Sequence, residues 1–274
     1  MSLFTVDKAK CRKDGFCAAE CPVQIIRIEA SSKLPVLIEG GEERCINCGH
    51  CVAVCPHQAF RLSSMALEDC PELPQGWELA PEQVSQLLKA RRSIRVYKED
   101  PVSEEIFLKV LDAARYAPSG MNRQPLRWLI IREPQKVQEL ARLTIDWMRA
   151  LIKDNSPLAQ SLRAENLVLA WDKGQDLICR RAPHLVVPYG LKEDFTALGA
   201  ATIALTYLEL AALPFELGTC WAGYANMALN KYPLAREFTG ISKRCDFLGA
   251  MMIGYPKLKY YRFPLRNVPQ IKWI

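Results

Sequence analysis

Four cysteines close to the amino end constrain what this chain can fold into more than any other feature. They lie in the stretch CINCGHCVAVCP, which runs from Cys45 to Pro56 with the spacing C-x2-C-x2-C-x3-C-P. Three thiolates at this spacing can reach three corners of one iron–sulfur cube, and the fourth cysteine of such a run normally ligates a second cluster. A zinc site built on two C-x2-C pairs is the alternative interpretation of the same cysteines.

An upstream copy of this run supports the cluster interpretation. Residues 11–22 read CRKDGFCAAECP, and Asp14 takes the place that Cys48 holds in the later copy. The other three cysteines of each copy align in pairs: Cys11 with Cys45, Cys17 with Cys51, and Cys21 with Cys55. The chain therefore contains an internal repeat in which one candidate ligand has changed.

The two runs resemble those of the two-cluster bacterial ferredoxins, and the resemblance covers about the first sixty residues. It implies that each run sends its last cysteine to the other cluster. One site then has four cysteine ligands, Cys21, Cys45, Cys48 and Cys51. The other site has three, Cys11, Cys17 and Cys55, with Asp14 at the remaining corner.

Asp14 leaves the second site open to three alternatives. Its carboxylate oxygen can bind the fourth iron as a harder and more labile ligand than a thiolate. The site can instead hold only three irons, or a water can complete the fourth corner. We therefore expect a 4Fe–4S or a 3Fe–4S cluster there, and a 4Fe–4S cluster at the all-cysteine site. His50 and His57 lie close to the cysteines in sequence, and we interpret both as surface or neighbouring residues that need not be ligands.

Cysteine usage favours metal binding in a reducing compartment. Eleven of the 274 residues are cysteine, and the first ten residues lack the long apolar run of a secretory signal. Metal ligation is therefore favoured over disulfides, and a cytoplasmic location is expected. The longest apolar segment, Ala197–Leu213, contains Glu209 and is short for a membrane span, so we predict a buried helix and no membrane association.

Charge is distributed unevenly along the chain. The first seventy residues carry eight Lys and Arg against nine Asp and Glu, whereas the remainder carries 28 against 21. A basic larger part suits an anionic cofactor. Nucleic acid is not expected as a partner, because no dense basic run is interleaved with aromatic residues.

A change of composition divides the chain. Residues 63–80 contain two prolines, a glycine and four acidic side chains, which is typical of a linker. We predict a small ferredoxin-like iron–sulfur domain of the α+β class over residues 1–62 and a larger domain over residues 81–274. The larger domain is expected to begin with a helix at Pro81.

Two segments of the larger domain carry chemistry suited to a cofactor. Residues 91–97 read RRSIRVY, and three arginines with a serine suit a phosphate monoester, because guanidinium groups bind its oxygens in pairs. A solvated basic helix end is the alternative interpretation. Residues 117–125 read APSGMNRQP, a loop whose side-chain amides can pair with the edge of a ring. A predicted helix over residues 103–116 precedes this loop, and a predicted strand over residues 127–131 follows it.

Together these segments resemble the nitroreductase family of flavin enzymes. The likeness continues through RRAPHLVV at 180–187, LGTCWAGY at 217–224 and YYRFPLRNVP at 260–269, and it covers roughly residues 81–274. It implies an α+β fold in which a mixed sheet lies between helices. It also implies a homodimer that binds FMN at the subunit interface, with each flavin contacted by both chains.

The resemblance assigns a role to each motif. The FMN phosphate is expected to be held by residues of the first motif and one near the carboxyl end: Arg91, Arg92, Ser93, Arg95 and Arg262. The loop is expected to lie along the isoalloxazine and ribityl portions through Pro118, Ser119, Gly120, Asn122 and Gln124. The turn formed by Cys220, Trp221, Ala222 and Gly223 is expected to approach N5, where the backbone N–H of Ala222 or Gly223 would stabilise charge on the reduced flavin.

Four residues in these motifs need a separate interpretation. The family commonly has tryptophan after QP and glycine before APH, whereas this chain has Leu126 and Arg181, so the pocket mouth is expected to differ. His184 heads an apolar run and is interpreted as ordering a turn. Cys220 is interpreted as a packed residue near the flavin, not as a nucleophile.

The leading hypothesis from the sequence is an enzyme in which electrons pass from the clusters to FMN and then to an organic acceptor of the nitroaromatic, quinone or enone type. No catalytic side chain is expected, because the cofactor supplies the chemistry. An external ferredoxin or NAD(P)H is the expected donor. The alternative is an iron–sulfur and flavin electron carrier that serves a redox partner.

Overall fold

The computed structural model describes residues 2–274, and they separate into two compact units. The first unit extends to Leu79 and takes in the short segment Met121–Arg123. The second comprises Ala80–Gly120 and Gln124–Ile274. Each unit has its own hydrophobic core.

The first unit is built from two small antiparallel ribbons and three short helices. Its strands are β1 (Phe4–Val6), β2 (Ile26–Ile28), β3 (Pro35–Leu37) and β4 (Phe60–Leu62), with β1 paired to β4 and β2 to β3. Its helices are α1 (Phe16–Ala19), α2 (Gly41–Arg44) and α3 (His50–Ala53), and a 3₁₀ turn follows at Leu67–Asp69. The sequence predicts two short β-branched strands at residues 24–29 and 34–39 that flank a Ser-Ser-Lys turn, and they are present as β2 and β3.

The internal repeat of the sequence is also a repeat of the backbone. Three residues with positive φ recur 34 positions later: Lys13 (62°) as Asn47 (50°), Gly15 (80°) as Gly49 (74°), and Gln24 (53°) as Gln58 (51°). Helices α1 and α3 begin directly after the two glycines and have four residues each. The two cysteine runs thus follow the same path and present their side chains in the same directions.

The core of the first unit is small and includes cysteines. The rings of Phe4 and Phe60 lie 4.6 Å apart between centroids, and Ile25 and Val52 are buried beside them. Three thiols belong to the same buried cluster: Cys17, Cys21 and Cys51. A unit of this size buries little apolar surface, which is the situation in which small natural domains rely on bound metal.

A five-stranded sheet organises the second unit. Its strands are β5 (Arg127–Ile131), β6 (His184–Leu191), β7 (Gly218–Trp221), β8 (Cys245–Phe247) and β9 (Met251–Gly254). The order is β5-β6-β9-β7, and β8 pairs with the far end of β6. These strands pair antiparallel, and an isolated parallel bridge joins Ser93 to Thr219, so the sheet is mixed.

Eight helices accompany the sheet in the residues the structure describes. They are α4 (Pro81–Ala90), α5 (Glu104–Ala114), α6 (Pro134–Lys153), α7 (Pro157–Ser161), α8 (Ala164–Asp172), α9 (Ala197–Ala212), α10 (Gly223–Lys231) and α11 (Pro233–Thr239). Short 3₁₀ turns lie at Gly120–Asn122 and Leu213–Phe215. Proline is the first residue of α4, α6, α7 and α11, a position where the backbone N–H has no intrahelical partner to lose. Helix α5 is capped by Ser103, whose hydroxyl accepts a hydrogen bond from the Ile106 N–H.

Two helical layers bury opposite sides of the sheet. Helices α5 and α9 contribute Phe107, Val110 and Leu205 to a core that includes Met251 of β9. Helices α6, α8 and α10 share the other core, which contains Met252. Adjacent strand residues point to opposite faces, so this division confirms the expected α+β fold with a mixed sheet between helices.

The segment from 140 to 174 contributes to the core of the second unit. Its sequence combines Trp147, Met148 and Trp171 with many charges and is compatible with either a mobile cover over the flavin or a surface helix pair. In the structure α6 buries Leu140, Trp147 and Met148, and its charged residues form exposed pairs such as Arg142 with Asp146. The helix is therefore an amphipathic core element.

Helix α9 and the carboxyl end leave apolar side chains exposed within this chain. Leu198, Ile203 and Tyr207 are exposed on α9, whereas its other face is buried. The stretch Ala197–Phe215 is long and apolar enough to cross a membrane by length and composition, a test that core helices also pass. From residue 258 onward every residue is exposed, including Tyr261 and Trp273.

Candidate cofactor sites

A cavity in the first unit brings together the four cysteines expected at one cluster. Its lining includes Cys21, Cys45, Cys48 and Cys51. The remaining walls are mostly apolar and include Phe4, Ile25 and Leu62. Cys21 comes from the first run and the others from the second, so the lining draws on both copies of the repeat.

A second cavity collects the other predicted set. It is lined by Cys11, Asp14, Cys17 and Cys55, together with Arg12 and His57. The Asp14 Oδ1 atom accepts a hydrogen bond from the Phe16 N–H at 3.2 Å, and its Oδ2 atom lies 3.9 Å from His57 Nε2. The cysteine that crosses between the runs is here Cys55.

The donors in both cavities suit iron–sulfur clusters. Burial raises the pKa of the Cys17 thiol to about 11 and that of Cys51 to about 12. Free thiols at these positions are therefore protonated at neutral pH, and iron must displace the protons when it binds. The Ala59 N–H donates to Cys55 Sγ at 3.4 Å, a contact that favours a thiolate.

The spacing of these side chains bears on the zinc alternative. Among residues 2–274 no group of three or more His, Cys, Asp or Glu side chains is close enough to hold a single metal ion. Thiolates around one zinc ion lie roughly 4 Å apart, because each Zn–S bond is about 2.3 Å long. A cluster places irons and sulfides between its ligands, so its thiolates lie further apart than those around one zinc ion.

In the second unit, the arginine-rich segment lies against strand β7. The Ile94 N–H donates to the Thr219 carbonyl at 2.8 Å, and Ser93 forms the parallel bridge to Thr219. A side chain at Gly218 would collide with Ile94, so glycine permits this close approach. The fold thus brings residues 91–95 beside the start of the turn 219–223, although more than a hundred residues separate them.

Arg91 has a buried partner that sequence reasoning did not assign. Its Nη1 atom lies 2.9 Å from Oε1 of Glu209, whose side chain is 8% exposed. The Thr219 hydroxyl donates to the same carboxylate oxygen at 3.1 Å. In the sequence, this partner is indicated only by Glu209 being an isolated charged residue in the apolar segment 197–213.

Arg92 and Arg95 are differently placed. Arg92 Nη1 donates to the carbonyls of Lys89 and Arg91, but its Nε atom is buried with no hydrogen-bond partner among residues 2–274. Arg95 is exposed and donates to the Ser93 carbonyl at 3.3 Å. A buried donor without a partner is costly, so the arrangement fits a phosphate that would accept from it.

Cys220 is next to these positive charges but is not activated by them. Burial raises the pKa of its thiol, and the opposing effects of Arg95 and of a hydrogen bond with Ser93 are smaller. The thiol is therefore neutral at pH 7, in line with the predicted packing role.

The sequence predicts that the N–H of Ala222 or of Gly223 approaches flavin N5, and the two groups differ in their hydrogen bonding. The Ala222 N–H donates to the Ala250 carbonyl at 2.8 Å and is already satisfied. Gly223 is the first residue of α10, where N–H groups lack intrahelical partners. Nothing lies within 4 Å of the position a Cβ would take at Gly223, so Gly223 is the better candidate donor.

The loop 117–125 lines a separate cavity of the second unit. Ser119, Gln124, Leu126 and Trp128 contribute to it, with Ala200 and Ala204 of α9. The Gln124 N–H donates to the Ser119 hydroxyl at 3.0 Å. None of residues 91–95 lines this cavity. Leu126, which takes the place of the family's tryptophan, does line it, as does Trp128 two residues further on.

The other predicted loop and tail residues have different surroundings. Asn122, which clusters with the first unit, donates from Nδ2 to the carbonyls of Ile46 at 3.3 Å and Asn47 at 2.9 Å. Met121, Asn122 and Gln124 have φ of 54°, 52° and 45°, which gives this loop a tightly turned backbone. Arg262 lies in the exposed carboxyl-terminal segment.

His184 has a structural environment. Its Nε2 atom accepts from the Val102 N–H at 2.9 Å, so its Nδ1 atom carries the proton and donates to the Arg132 carbonyl at 2.7 Å. Phe107 packs edge-on against the ring at 5.3 Å. Burial lowers the pKa of His184, which keeps the imidazole neutral.

Comparison with known proteins agrees with both parts of the chain. Residues 88–255 match the model of the Nitroreductase family, and residues 10–62 match that of the 4Fe-4S dicluster domain. A protein from Archaeoglobus fulgidus, provisionally named NADH dehydrogenase/NAD(P)H nitroreductase, is 24% identical over 177 residues, which are 64% of this chain and 87% of that protein.

Solved structures show the same fold. A nitroreductase with bound FMN from Desulfitobacterium hafniense superposes with a TM-score of 0.56 at 21% identity, covering 72% of this chain and all of the other. A nitroreductase with bound FMN from Bacteroides fragilis gives 0.54 at 21% identity, covering 69% of this chain and 99% of the other.

Proposed function

This chain belongs to the nitroreductase family and carries a 4Fe-4S dicluster ferredoxin domain at its amino end, and on that premise we propose that it is an iron–sulfur flavin oxidoreductase. In this proposal electrons enter at the clusters, pass to FMN and reduce an organic acceptor. The observation that carries it is the sorting of seven cysteines and Asp14 into two cavities, in a chain whose larger part has the nitroreductase fold.

The cavities support a specific set of cluster ligands. Cys21, Cys45, Cys48 and Cys51 would hold one 4Fe–4S cluster. Cys11, Cys17 and Cys55, with Asp14, would hold a 4Fe–4S or 3Fe–4S cluster. The repeated backbone supports this ligand assignment, because Asp14 and Cys48 occupy equivalent backbone positions with the same flanking conformations.

The arginine-rich segment supports FMN binding through its phosphate. Two similar folds contain FMN, and the buried Nε of Arg92 lacks a hydrogen-bond partner in the part of the chain that the structure describes. Arg92, Ser93 and Arg95 would contact the phosphate oxygens directly. Arg91 would act beside them, held by Glu209, and Arg262 would join from the carboxyl-terminal segment.

The separation of the two flavin motifs supports a homodimeric site. Loop residues such as Ser119 and Gln124 line a cavity that excludes residues 91–95, so one FMN would take its phosphate contacts from one chain and its loop contacts from another. The exposed face of α9 and the apolar carboxyl-terminal segment are surfaces a second copy would cover.

The larger unit would supply position and electrostatics to the flavin. FMN, when bound, provides one-electron and hydride chemistry. The chain would hold its phosphate with arginines, place the Gly223 N–H near N5, and exclude water with the apolar side chains of the loop cavity. No side-chain nucleophile is required, and the neutral Cys220 thiol agrees with that.

Nitroaromatics, quinones and enones are the proposed acceptors, and an external ferredoxin or NAD(P)H the proposed donor. The Archaeoglobus relative's name includes NAD(P)H, which favours testing that donor first. Leu126 and Trp128 both line the loop cavity, so the acceptor preference is expected to depend on them.

Anaerobic turnover tests the proposed activity. Holoprotein reduced with dithionite is mixed with a nitroaromatic, a quinone and an enone, and product is measured together with reoxidation of the flavin absorbance. We expect multiple turnovers with at least one acceptor class when donor is in excess. Reoxidation by purified redox proteins alone, with none of the small acceptors consumed, would instead establish the electron-carrier alternative.

A further inference from the structure

The two cluster cavities differ at a second position besides Asp14. Because the repeat has an offset of 34 residues, His57 corresponds to Val23 just as Asp14 corresponds to Cys48. Val23 lines the first cavity, and His57 lines the second. One cavity thus has a thiol and an isopropyl group where the other has a carboxylate and an imidazole.

The carboxylate and the imidazole meet at the same corner. Asp14 follows a residue in the left-handed region and precedes Gly15, and the same conformations flank Cys48, so the two residues occupy equivalent positions of the backbone. His57 Nε2 lies 3.9 Å from Asp14 Oδ2. The two side chains are 40% and 28% exposed, so neither is locked in place by packing.

These donors suit the metal expected there. Imidazole nitrogen and carboxylate oxygen are both ordinary ligands of iron. Two such atoms at neighbouring positions of one metal ion lie roughly 3 Å apart, because each bond is about 2 Å long. The observed separation is longer by about 0.6 to 1 Å and beyond hydrogen-bond distance, so both groups would move slightly toward an ion that they share.

We propose that His57 is a second side-chain ligand for the fourth iron of the Asp14 cluster. The inference rests on the proposed cluster function and adds a residue to it. Asp14 Oδ2 and His57 Nε2 share the corner, so the imidazole retains the iron when the carboxylate dissociates. The cluster then stays in the four-iron form more of the time than a site with Asp14 alone.

Controlled oxidation measures how firmly the fourth iron is held. One ferricyanide takes one electron from a 4Fe–4S cluster of charge 2+, which releases one Fe²⁺ and leaves a 3Fe–4S cluster of charge 1+. The released iron is captured by a chelator and measured by absorbance, and the three-iron cluster is counted by EPR. Anaerobically purified full-length holoprotein is used throughout.

Four variants separate the contributions. His57→Val copies the first cavity, Asp14→Ala removes the carboxylate, and the third combines both changes. Arg61→Val is the control, because Arg61 is an exposed residue of β4 that lines neither cavity. We expect His57→Val to release the fourth iron about tenfold faster or more, Asp14→Ala to retain part of it, and the double variant to be purified in the three-iron form.

The outcomes discriminate between this inference and the function on which it rests. Release from His57→Val at the rate seen in the unaltered protein, or an equal acceleration by Arg61→Val, would overturn the role of His57. An unaltered protein that contains neither iron nor sulfide after anaerobic reconstitution would overturn the cluster proposal itself.

Discussion

At the residue scale, the buried carboxylate of Glu209 links two segments of the second unit that we propose bind the flavin. Glu209 accepts from Arg91 and from Thr219, and Thr219 is bonded through its backbone to Ile94. Loss of the charge at Glu209 would leave Arg91 without a counter-ion in a half-buried place. We therefore propose that Glu209 positions segment 91–95 for the phosphate contacts proposed above.

Replacement of Glu209 by glutamine is expected to weaken both stability and FMN retention. Breaking a partly buried, charge-assisted pair should lower the free energy of unfolding by about 1 to 3 kcal/mol. The measurement is chemical denaturation followed by tryptophan fluorescence, with flavin content after gel filtration. Glu216→Gln, at an exposed position, serves as control, and equal results for the two variants would remove Glu209 from the site.

Replacement of Arg95 by alanine is expected to reduce FMN affinity by about tenfold to a hundredfold, because a charge-assisted contact to phosphate is worth about 1.5 to 3 kcal/mol. Affinity is measured by titration of flavin-free protein with FMN, followed by fluorescence quenching. Arg142→Ala changes an exposed arginine on α6 and should bind FMN normally. Unchanged affinity in Arg95→Ala would show that the phosphate lies elsewhere.

His184 predicts a pH dependence of stability. Its pKa in the folded chain is below the value of 6.5 that it has when unfolded. As pH falls through 6.5 the unfolded chain binds the proton first, so the contribution of His184 to stability is full above pH 6.5 and is lost below it. Protonation would also set a second N–H of the ring against the Val102 N–H.

Replacement of His184 by glutamine should therefore lower stability at pH 7.5 and flatten its decline between pH 6.5 and 5. The slope that disappears is at most about 1.4 kcal/mol per pH unit, the value for one proton. Denaturation midpoints of both proteins across this range provide the measurement, with His50→Gln as exposed control. Parallel curves for His184→Gln and the unaltered protein would contradict this explanation.

At the scale of elements, helix α9 joins the core to a candidate subunit interface. One face packs Leu205 and Leu208 against the sheet, and the other exposes Leu198, Ile203 and Tyr207. A helix that is apolar on nearly all sides normally has partners on nearly all sides. The exposed face is where we expect the second chain.

The variant Ile203→Glu should therefore convert a dimer into a monomer and reduce bound FMN, because a charge at the centre of an apolar interface is left without a partner. Light scattering after gel filtration gives the mass of each species. Leu108→Glu makes the same change at an exposed leucine of α5 and should leave the dimer intact. A dimeric Ile203→Glu protein with full flavin would exclude this face.

The same elements show what sequence can predict. The ribbon of the first unit, the helix capped by Ser103 and the strand 127–131 follow from local patterns, and each is present. The sorting of cysteines between two cavities was accessible because the resemblance to two-cluster ferredoxins implies it. The pairing of Arg91 with Glu209 was not, because it joins residues 118 positions apart through tertiary packing.

Helix α6 illustrates a second limit of sequence reasoning. Its many charges obscured its role until the structure placed Arg142, Asp146 and Arg149 on one side and Trp147 with Met148 on the other. The Ala222 N–H is a third case. The hydrogen bond from the Ala222 N–H to the Ala250 carbonyl depends on strand pairing around β9, which no local sequence pattern predicts.

At the scale of the whole molecule, the chain combines two redox modules of different chemistry. The dicluster domain is suited to single-electron transfer, and the nitroreductase domain to a flavin that exchanges electrons singly or in pairs. Covalent connection raises the effective concentration of one module for the other. The location of the protein in the cell stays a prediction from cysteine usage.

The most direct test of this account is anaerobic quantification of iron, sulfide and FMN per chain, combined with EPR of the reduced and oxidised protein. We predict about seven or eight irons per chain, a similar amount of sulfide and one FMN, with EPR signals from two distinct clusters. Protein that binds FMN but no iron, or zinc in place of iron, would contradict the central claim that one chain carries both redox systems.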